Sequence, residues 1–254
     1  MVASVADADV RIPLCGFTIS MKAFAARFEV VEIQSTFYEP PADSRLVRWR
    51  QATSPALEFT MKVWQLVTHS AQSPTYRRMK HPPDAQDQPG GFRDSAAVYE
   101  GWQRSVECAN VLRATGMLFQ CPASFGPTQE NVRALRRFFG RIQRPDARLL
   151  WEPRGKAWVA NRDMALALCA DLDLVHVVDP FVTPPPKGGA VYWRLHGLGN
   201  VRHSYTDEQL RTLHTLLVRS EPAGPAYVLF NNLPRVADAQ RFASVAGASR
   251  ARDS

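Results

Sequence analysis

Short apolar segments rich in β-branched residues alternate with amphipathic segments along the whole chain, and this alternation constrains the fold more than any other feature. Strands are predicted at 11–16, 29–36, 58–63, 116–121, 148–154, 174–179, 190–196 and 226–232. Helices are predicted near 21–28, 44–53, 94–113, 129–142, 161–170, 207–219 and 235–245. Short apolar segments bounded by turn residues are typical of buried strands in a parallel sheet. Eight such strands interleaved with helices predict an α/β fold of the TIM (β/α)8 barrel class, which needs about 250 residues.

An open, doubly wound sheet is the main alternative to a barrel. That fold commonly carries a G-x-G-x-x-G fingerprint after its first strand. Here the first predicted strand ends at Cys15-Gly16-Phe17, with no G-x-G-x-x-G fingerprint. The proline-rich segment 180–189 predicts an irregular or missing helix between the sixth and seventh strands. We expect one barrel domain over 1–254, ordered from about 10 to 245, with frayed ends at 1–9 and 246–254.

The sequence also predicts several helix N-termini. Asp43, Asp94 and Thr128 are candidate N-caps, because short oxygen-bearing side chains accept hydrogen bonds from the first free amides of a helix. Thr206 and Gln209 have the spacing of a capping box.

Composition places the chain in the ordinary globular class and argues against several others. No apolar run approaches the ~18 residues of a membrane span, and the N-terminal residues lack the pattern of a secretory signal. The four cysteines are scattered rather than paired at metal-binding or redox spacing, which favours a reducing compartment such as the cytoplasm. The formal charge of +7 is spread along the chain, so it indicates a mild preference for anions and only weakly suggests nucleic acid.

Polar residues occur near the C-terminal end of seven predicted strands, on phases that would face a barrel interior. They are Glu32, Gln34 and Thr36; Thr60 and Lys62; Gln120; Glu152 and Arg154; Asp179; Arg194 and His196; and Asn231 or Asn232. Buried charges are costly unless they are paired or used, and active sites of this fold lie at that end. The pattern therefore predicts a functional site. A purely structural ion-pair network remains the alternative for the deeper members, Glu32 and Arg194.

Two loops add to this prediction. After the seventh strand, Gly197 and Gly199 allow backbone amides to approach an anion such as phosphate. After the eighth strand, Asn231 and Asn232 precede a helix whose N-terminus favours negative charge. The long connection 64–93 is predicted to lack helix and to serve either as a lid or site wall or as a plain surface excursion.

Motifs distributed over nearly the whole chain resemble the YecE-like family, known as domain of unknown function 72. They are CGF at 15–17, VEIQSTFYEPP at 31–41, FTMKVWQLVTH at 59–69, SPTYRR at 73–78, GGFRD at 90–94, LFQCPASF at 118–125, WEPRGKAW at 151–158, YWRLHG at 192–197 and YVLFNN at 227–232. The resemblance implies a TIM barrel but supplies no reaction. By position, it implies functional roles for Glu32, Thr36, Phe37, Tyr38, Lys62, Thr68, His69, Gln120, Pro122, Glu152, Arg154, Arg194, His196, Gly197, Asn231 and Asn232.

These residues suggest an enzyme that acts by acid–base chemistry on a small phosphorylated or carboxylated, hydroxyl-rich ligand. A hydrolase, lyase or isomerase without a cofactor is favoured. Glu152, His196 and Asp179 are the predicted catalytic residues, with Glu152 as general base or acid and His196 as its proton-transfer partner. Arg154, Arg194 and Lys62 are predicted to bind the anion. The remaining predicted ligand-binding residues are Gln120, Glu32, Thr36, Tyr38, His69, Gly197, Gly199, Asn231 and Asn232.

Two alternatives stay open at the level of sequence. Glu32, Glu152, Asp179 and His196 have the chemistry of ligands for a divalent metal, although nearby arginines would compete for the carboxylates. Alternatively, a basic and aromatic rim would bind single-stranded nucleic acid by stacking and charge. That rim comprises Phe37, Tyr38, Trp64, Tyr76, Arg77 and Arg78. The substrate and the oligomeric state are not predicted.

Overall fold

The computed structural model of the chain describes residues 9–17 and 19–247. Its strands are β1 Val10–Arg11, β2 Leu14–Cys15, β3 Val30–Ile33, β4 Glu58–Lys62, β5 Gly116–Gln120, β6 Arg148–Glu152, β7 Val175–His176, β8 Val191–Leu195 and β9 Ala226–Phe230. Its helices are α1 Met21–Ala25, α2 Ser35–Tyr38, α3 Asp43–Gln51, α4 Ala96–Leu112, α5 Gln129–Arg141, α6 Lys156–Ala160, α7 Arg162–Asp171, α8 Asp207–Ser220 and α9 Arg235–Ala246. The predicted fraying at 1–9 and 246–254 falls outside the described residues, except at positions 9, 246 and 247.

All strand pairings described between these elements are parallel, as the alternation of strands and helices predicts. The chain divides into two compact units. Unit 1 comprises Met1–Glu32, Thr53–Glu58 and Val177–Ser254, as far as these are described. Unit 2 comprises Ile33–Ala52 and Phe59–His176.

Unit 1 is built around β9, which pairs with β1, β2 and β8. The β8–β9 pairing is the longest and runs from Val191↔Ala226 to Leu195↔Phe230. Pro13 lies between β1 and β2 and has no amide hydrogen to donate to a neighbouring strand. The predicted strand at 11–16 is therefore two short strands, of which β2 also pairs with β3.

Unit 2 has the strand order β4–β5–β6–β7, and β5 pairs with β6 along its full length. Phe92 lies in the long connection that precedes α4. Its ring packs against those of Phe119, Phe125, Phe138 and Phe139 at centroid distances of 5.3 to 6.0 Å. Aromatic pairs of this kind contribute about 0.5–1.5 kcal/mol each beyond area burial, so this cluster fixes the connection onto β5 and α5.

The predicted strand at 29–36 is wrong at its C-terminal end. β3 ends at Ile33, and the next residues form the short helix α2. Thr36 lies in this helix, where its hydroxyl donates to the carbonyl of Lys62 at 2.7 Å and also lies 3.3 Å from that of Ile33. Local bonds from a threonine side chain to the backbone compete with strand formation, which explains the change.

The two predicted aspartate caps are also wrong. Asp43 is the first residue of α3, and Ala42 occupies the N-cap. Helix α4 has Ser95 at its N-cap. The carboxylate of Asp94 instead accepts a hydrogen bond from Arg141 at 2.6 Å.

The other predicted helix starts are confirmed. The hydroxyl of Thr128 accepts from the amide of Asn131, and Thr206 and Gln209 form a capping box at the start of α8. The proline-rich segment 180–189 contains no helix, as predicted. The connection 64–93 differs from its prediction, because it contains 3-10 turns at Pro74–Arg78 and Ala85–Asp87.

The four cysteines are all buried thiols. Burial raises the pKa of Cys108 to about 11, and it raises the pKa values of Cys121 and Cys169 to about 12. Because the thiolate is the reactive form, these three side chains are chemically inert in the folded protein.

Candidate functional site

The predicted site residues fall into two groups, one in each unit, and each group is described separately. In unit 2, Lys62 ends β4 and is 5% exposed. Its ammonium lies 3.9 Å from the centre of the Phe37 ring, a distance typical of a cation–π interaction. The hydroxyl of Thr36 binds the Lys62 carbonyl, so α2 is fastened to the end of β4. These contacts hold a buried positive charge in a defined position.

His69 belongs to the same group and is 4% exposed. Its Nδ1 lies 2.8 Å from the hydroxyl of Thr68, and its ring meets Phe37 edge-on at a centroid distance of 4.9 Å. Burial, followed by the positive charges of Lys62 and Arg154, lowers the pKa of His69 to about 4. The imidazole is therefore neutral at neutral pH.

Glu152 ends β6, opposite Gln120 of β5 in the parallel register. Its side chain is 6% exposed and accepts a hydrogen bond from Nε of Arg154 at 2.9 Å. The Arg154 side chain is 35% exposed, so one end of this ion pair reaches solvent. An adjacent guanidinium favours the ionised form of a carboxylate.

The long connection 64–93 holds His69 in place through its main chain. The carbonyl of His69 accepts a hydrogen bond from the phenol of Tyr76 at 2.7 Å. The amide of Gly90 donates to the carbonyl of Leu66 at 2.7 Å, and the amide of Gly91 donates to the carbonyl of Thr68. A Cβ atom at Gly90 would lie 2.1 Å from the His69 carbonyl carbon, so only glycine fits there. The connection is therefore packed closely against the main chain of residues 66–69.

In unit 1, His196 follows β8 and is bound on two sides. Its amide donates to Oδ2 of Asp179 at 3.1 Å, while Oδ1 of that carboxylate accepts from the amide of Phe181. Nδ1 of His196 lies 3.2 Å from the side-chain nitrogen of Asn231. Three predicted site residues, His196, Asp179 and Asn231, are thus brought together within this unit.

Glu32 and Arg194 form a second cluster in unit 1. Both side chains are fully buried, and NH2 of Arg194 lies 2.8 Å from Oε1 of Glu32. The phenol of Tyr192 donates to Oε2 at 2.8 Å, and the Cys15 thiol lies 3.7 Å from Oε1. A buried, hydrogen-bonded ion pair of this kind fits the structural alternative weighed from the sequence.

The glycine loop after β8 is closed by its own contacts. The amide of Gly197 donates to the phenol of Tyr205 at 2.9 Å. Gly197 has φ of 86°, and a Cβ there would lie 2.2 Å from the carbonyl oxygen of Asn200. Gly199 is exposed and also has positive φ, at 83°. The tight turn is therefore enough to explain why a glycine occurs at position 197.

Asn232 has internal partners as well. It is 1% exposed, and its amide nitrogen donates to Oδ2 of Asp238 at 2.6 Å and to the carbonyl of His203 at 2.8 Å. Sequence patterns did not point to Asp238 or Tyr205. The carboxylate of Asp238 also accepts from Ser204 and from the amide of Tyr205, more than 30 residues away, and no local pattern encodes such contacts.

The aromatic rim considered for nucleic acid is partly internal. Phe37 and Tyr76 are buried, and Trp64 donates through its indole to the carbonyl of Tyr38. The guanidinium of Arg78 lies 3.5 Å from the centre of the Tyr38 ring. Most of these rings therefore serve packing.

The described residues contain neither a cluster of metal ligands nor a helix able to span a membrane. No three histidine, cysteine, aspartate or glutamate side chains form a group able to hold a metal ion. None of the helices combines the length and the apolar composition needed to cross a bilayer.

Solved structures with similar backbones show the fold class of this chain. A DUF72 family protein from Enterococcus faecalis V583 is 21% identical, with a TM-score of 0.71, covering 96% of this chain and 100% of that chain. A DUF72 family protein from Thermotoga maritima MSB8 is 20% identical, with a TM-score of 0.67, covering 92% and 98%. A xylose isomerase domain containing protein from Salmonella typhimurium LT2 is 13% identical, with a TM-score of 0.54, covering 93% of each. The fold is the predicted α/β fold of the TIM-barrel class.

The family follows from the sequence itself. The profile described as "Protein of unknown function DUF72" matches residues 18–252, so the chain belongs to this family, as its motifs indicated. No curated protein matches the chain.

Proposed function

We propose that this protein is an enzyme that binds a small anionic, hydroxyl-rich ligand and transforms it by acid–base chemistry. The observation that supports this proposal is the group in unit 2, which combines the Glu152–Arg154 ion pair, a neutral histidine and the buried ammonium of Lys62. Charges removed from water are costly, and a histidine whose pKa is lowered by burial and by two specific cations is a candidate for a functional site.

Lys62 and Arg154 are proposed to bind the anion. Lys62, Arg154 and Glu152 together carry a net positive charge, and a bound phosphate or carboxylate would neutralise it. The partly exposed Arg154 side chain presents a planar donor set suited to two oxygens, whereas Lys62 acts as a buried point charge. Gln120, Thr36, Tyr38 and His69 are further ligand-binding candidates of this unit.

Glu152 is proposed to move the proton. Its ion pair with Arg154 favours the carboxylate, the form that accepts a proton, and its burial limits competition from water. In unit 1, His196 is a separate candidate for proton transfer. Asp179 fixes its main chain and Asn231 contacts its Nδ1. For Glu32, Arg194 and Asn232, the internal bonds favour a structural role, and Gly199 remains a candidate for anion binding. We also propose a cytoplasmic location, in keeping with four buried thiols.

Binding is tested by calorimetric titration with inorganic phosphate and D-ribose 5-phosphate. We expect Lys62→Met and Arg154→Gln each to weaken binding by about 10- to 100-fold, because charge-assisted hydrogen bonds contribute about 1.5–3 kcal/mol. The control is Arg133→Gln, which changes an exposed arginine of unit 2. Binding that is absent, or unchanged in both variants, would contradict the proposal.

Turnover is tested by incubating the protein with a panel of phosphorylated sugars and following the 31P NMR spectrum. Glu152→Gln is expected to abolish turnover while phosphate still binds. The exposed Glu130→Gln is the matched control. Turnover that survives in Glu152→Gln removes this residue from the mechanism.

A further inference from the structure

We infer that the unit 2 group catalyses proton transfer at a carbon next to a carbonyl group, and that its substrate is an α-hydroxy aldehyde or ketone bearing a phosphate or carboxylate. The inference rests on the proposed function and narrows it from acid–base chemistry in general to enolisation.

Enolisation needs three groups in one place. A carboxylate must take the proton from carbon, a neutral hydrogen-bond donor must polarise the carbonyl, and a fixed positive charge must stabilise the enediolate that forms. A neutral imidazole suits the second task better than an imidazolium does, because its acidity is closer to that of the enediol. Unit 2 contains a carboxylate in Glu152, a neutral imidazole in His69 and a buried ammonium in Lys62. Arg154 links them, because it pairs with Glu152 and its charge acts on His69.

The structure keeps His69 in the required form. It is 4% exposed, and two cations, Lys62 and Arg154, act on it. Thr68 engages Nδ1 at 2.8 Å, and when the threonine hydroxyl donates, the ring hydrogen resides on Nε2. In that tautomer, Nε2–H is the donor available to the substrate oxygen. The packing of Gly90 against the His69 carbonyl fixes the residue through its main chain.

Lys62 and His69 are positioned by the same ring. The ammonium lies over the face of Phe37 at 3.9 Å, and the imidazole meets its edge at 4.9 Å. The two donors therefore have a fixed mutual arrangement, as an oxyanion-binding pair requires. Arg154 is the more exposed cation, and we assign it to the phosphate or carboxylate of the substrate.

The proposed step is balanced without a co-reactant. The Glu152 carboxylate takes the proton from the carbon that bears the hydroxyl, and the electron pair of that C–H bond forms the C=C bond of the enediolate. The carbonyl oxygen gains negative charge, which His69 and Lys62 stabilise. Glu152 then returns the proton to the same carbon, which gives exchange, or to the neighbouring carbon, which gives an isomer. In the isomerisation, the former carbonyl oxygen gains a proton from Nε2 of His69, and the former hydroxyl oxygen gives its proton to that nitrogen as it becomes the new carbonyl. No external oxidant or reductant is consumed.

The test is incorporation of solvent deuterium. The intact protein is incubated in D2O with dihydroxyacetone phosphate, D-ribulose 5-phosphate and D-fructose 6-phosphate, and loss of the α-proton is followed by 1H NMR. We expect exchange above the protein-free rate with at least one probe. The rate should fall about 1,000-fold in Glu152→Gln and about 100-fold in His69→Gln and Lys62→Met, as expected for loss of a proton-transfer group or an oxyanion donor.

Matched controls make the result specific. The exposed His81→Gln should exchange at the wild-type rate. Thr68→Val retains the imidazole but removes the hydroxyl partner of Nδ1, so it should lower the rate about tenfold even if His69→Gln fails to fold. If sugar phosphates bind and Glu152-dependent turnover occurs without deuterium incorporation, this inference is overturned while the proposed function stands. If neither binding nor turnover is observed, both fall.

Discussion

Replacement of Arg194 by methionine should destabilise the protein strongly, because it leaves the carboxylate of Glu32 buried without its counter-charge. Both side chains are fully buried and lie 2.8 Å apart. Breaking a buried ion pair by removing one partner costs about 3–5 kcal/mol. The hydrogen bond from Tyr192 offsets only part of this, since a bond to a charged group contributes about 1.5–3 kcal/mol.

The double variant Glu32→Gln/Arg194→Met separates charge from packing. It removes both charges but keeps an acceptor for the Tyr192 phenol. We therefore expect it to be more stable than Arg194→Met alone, with a coupling energy of about 2 kcal/mol or more. Urea unfolding followed by circular dichroism gives the free energies of unfolding. An Arg194→Met variant within about 1 kcal/mol of wild type would refute the reasoning, because it would mean that water or another group compensates the charge.

Three further predictions concern histidines, a glycine and a buried aspartate. The pKa values of His69 and His176 are lowered from 6.5 to about 4, chiefly by burial, so the unfolded chain binds more protons between these values. The contribution of these histidines to the free energy of unfolding is complete above pH 6.5 and is lost as the pH falls towards 4, with a loss of about 2 kcal/mol per histidine near pH 5. Replacing either histidine by glutamine should reduce this pH dependence, as measured by urea unfolding. Gly90→Ala should lower the free energy of unfolding by about 2 kcal/mol or more and shift the NMR signals of His69, because the new Cβ would lie 2.1 Å from the His69 backbone. Gly91→Ala, whose Cβ meets open space, should cost only about 1 kcal/mol of backbone strain. Equal changes in melting temperature for the two variants would contradict this. Asp238→Ala should lower stability by about 3 kcal/mol, because it leaves several buried donors unsatisfied, and an unchanged melting temperature would show that they find other partners.

Local patterns in the sequence predicted most of the secondary structure. The apolar runs at 58–63, 116–121 and 226–232 are strands within two residues of the prediction, because their burial on both faces requires continuous apolar residues. The errors arise where a side chain forms hydrogen bonds that compete with the strand, or where the backbone has no amide hydrogen to donate. Pro13 divides the first strand, and Thr36 draws its segment into a short helix.

The candidate site was predicted in its residue types but not in its contacts. Strand phase found Lys62, Glu152 and Arg154, whereas His69 came from the family resemblance. Its neutral state depends on burial and on charges from segments far apart in sequence. The close approach of Gly90 to His69 likewise joins two ends of a long connection. No local pattern encodes such distances.

The buried thiols allow the opening of each unit to be measured separately. A thiol reagent reaches a buried cysteine only when the surrounding structure opens, so the labelling rate measures the frequency of opening. Cys15 lies in unit 1, whereas Cys108, Cys121 and Cys169 lie in unit 2. Mass spectrometry of partly labelled protein would therefore show whether the chain opens in one cooperative event, which labels all four together, or loosens one region at a time.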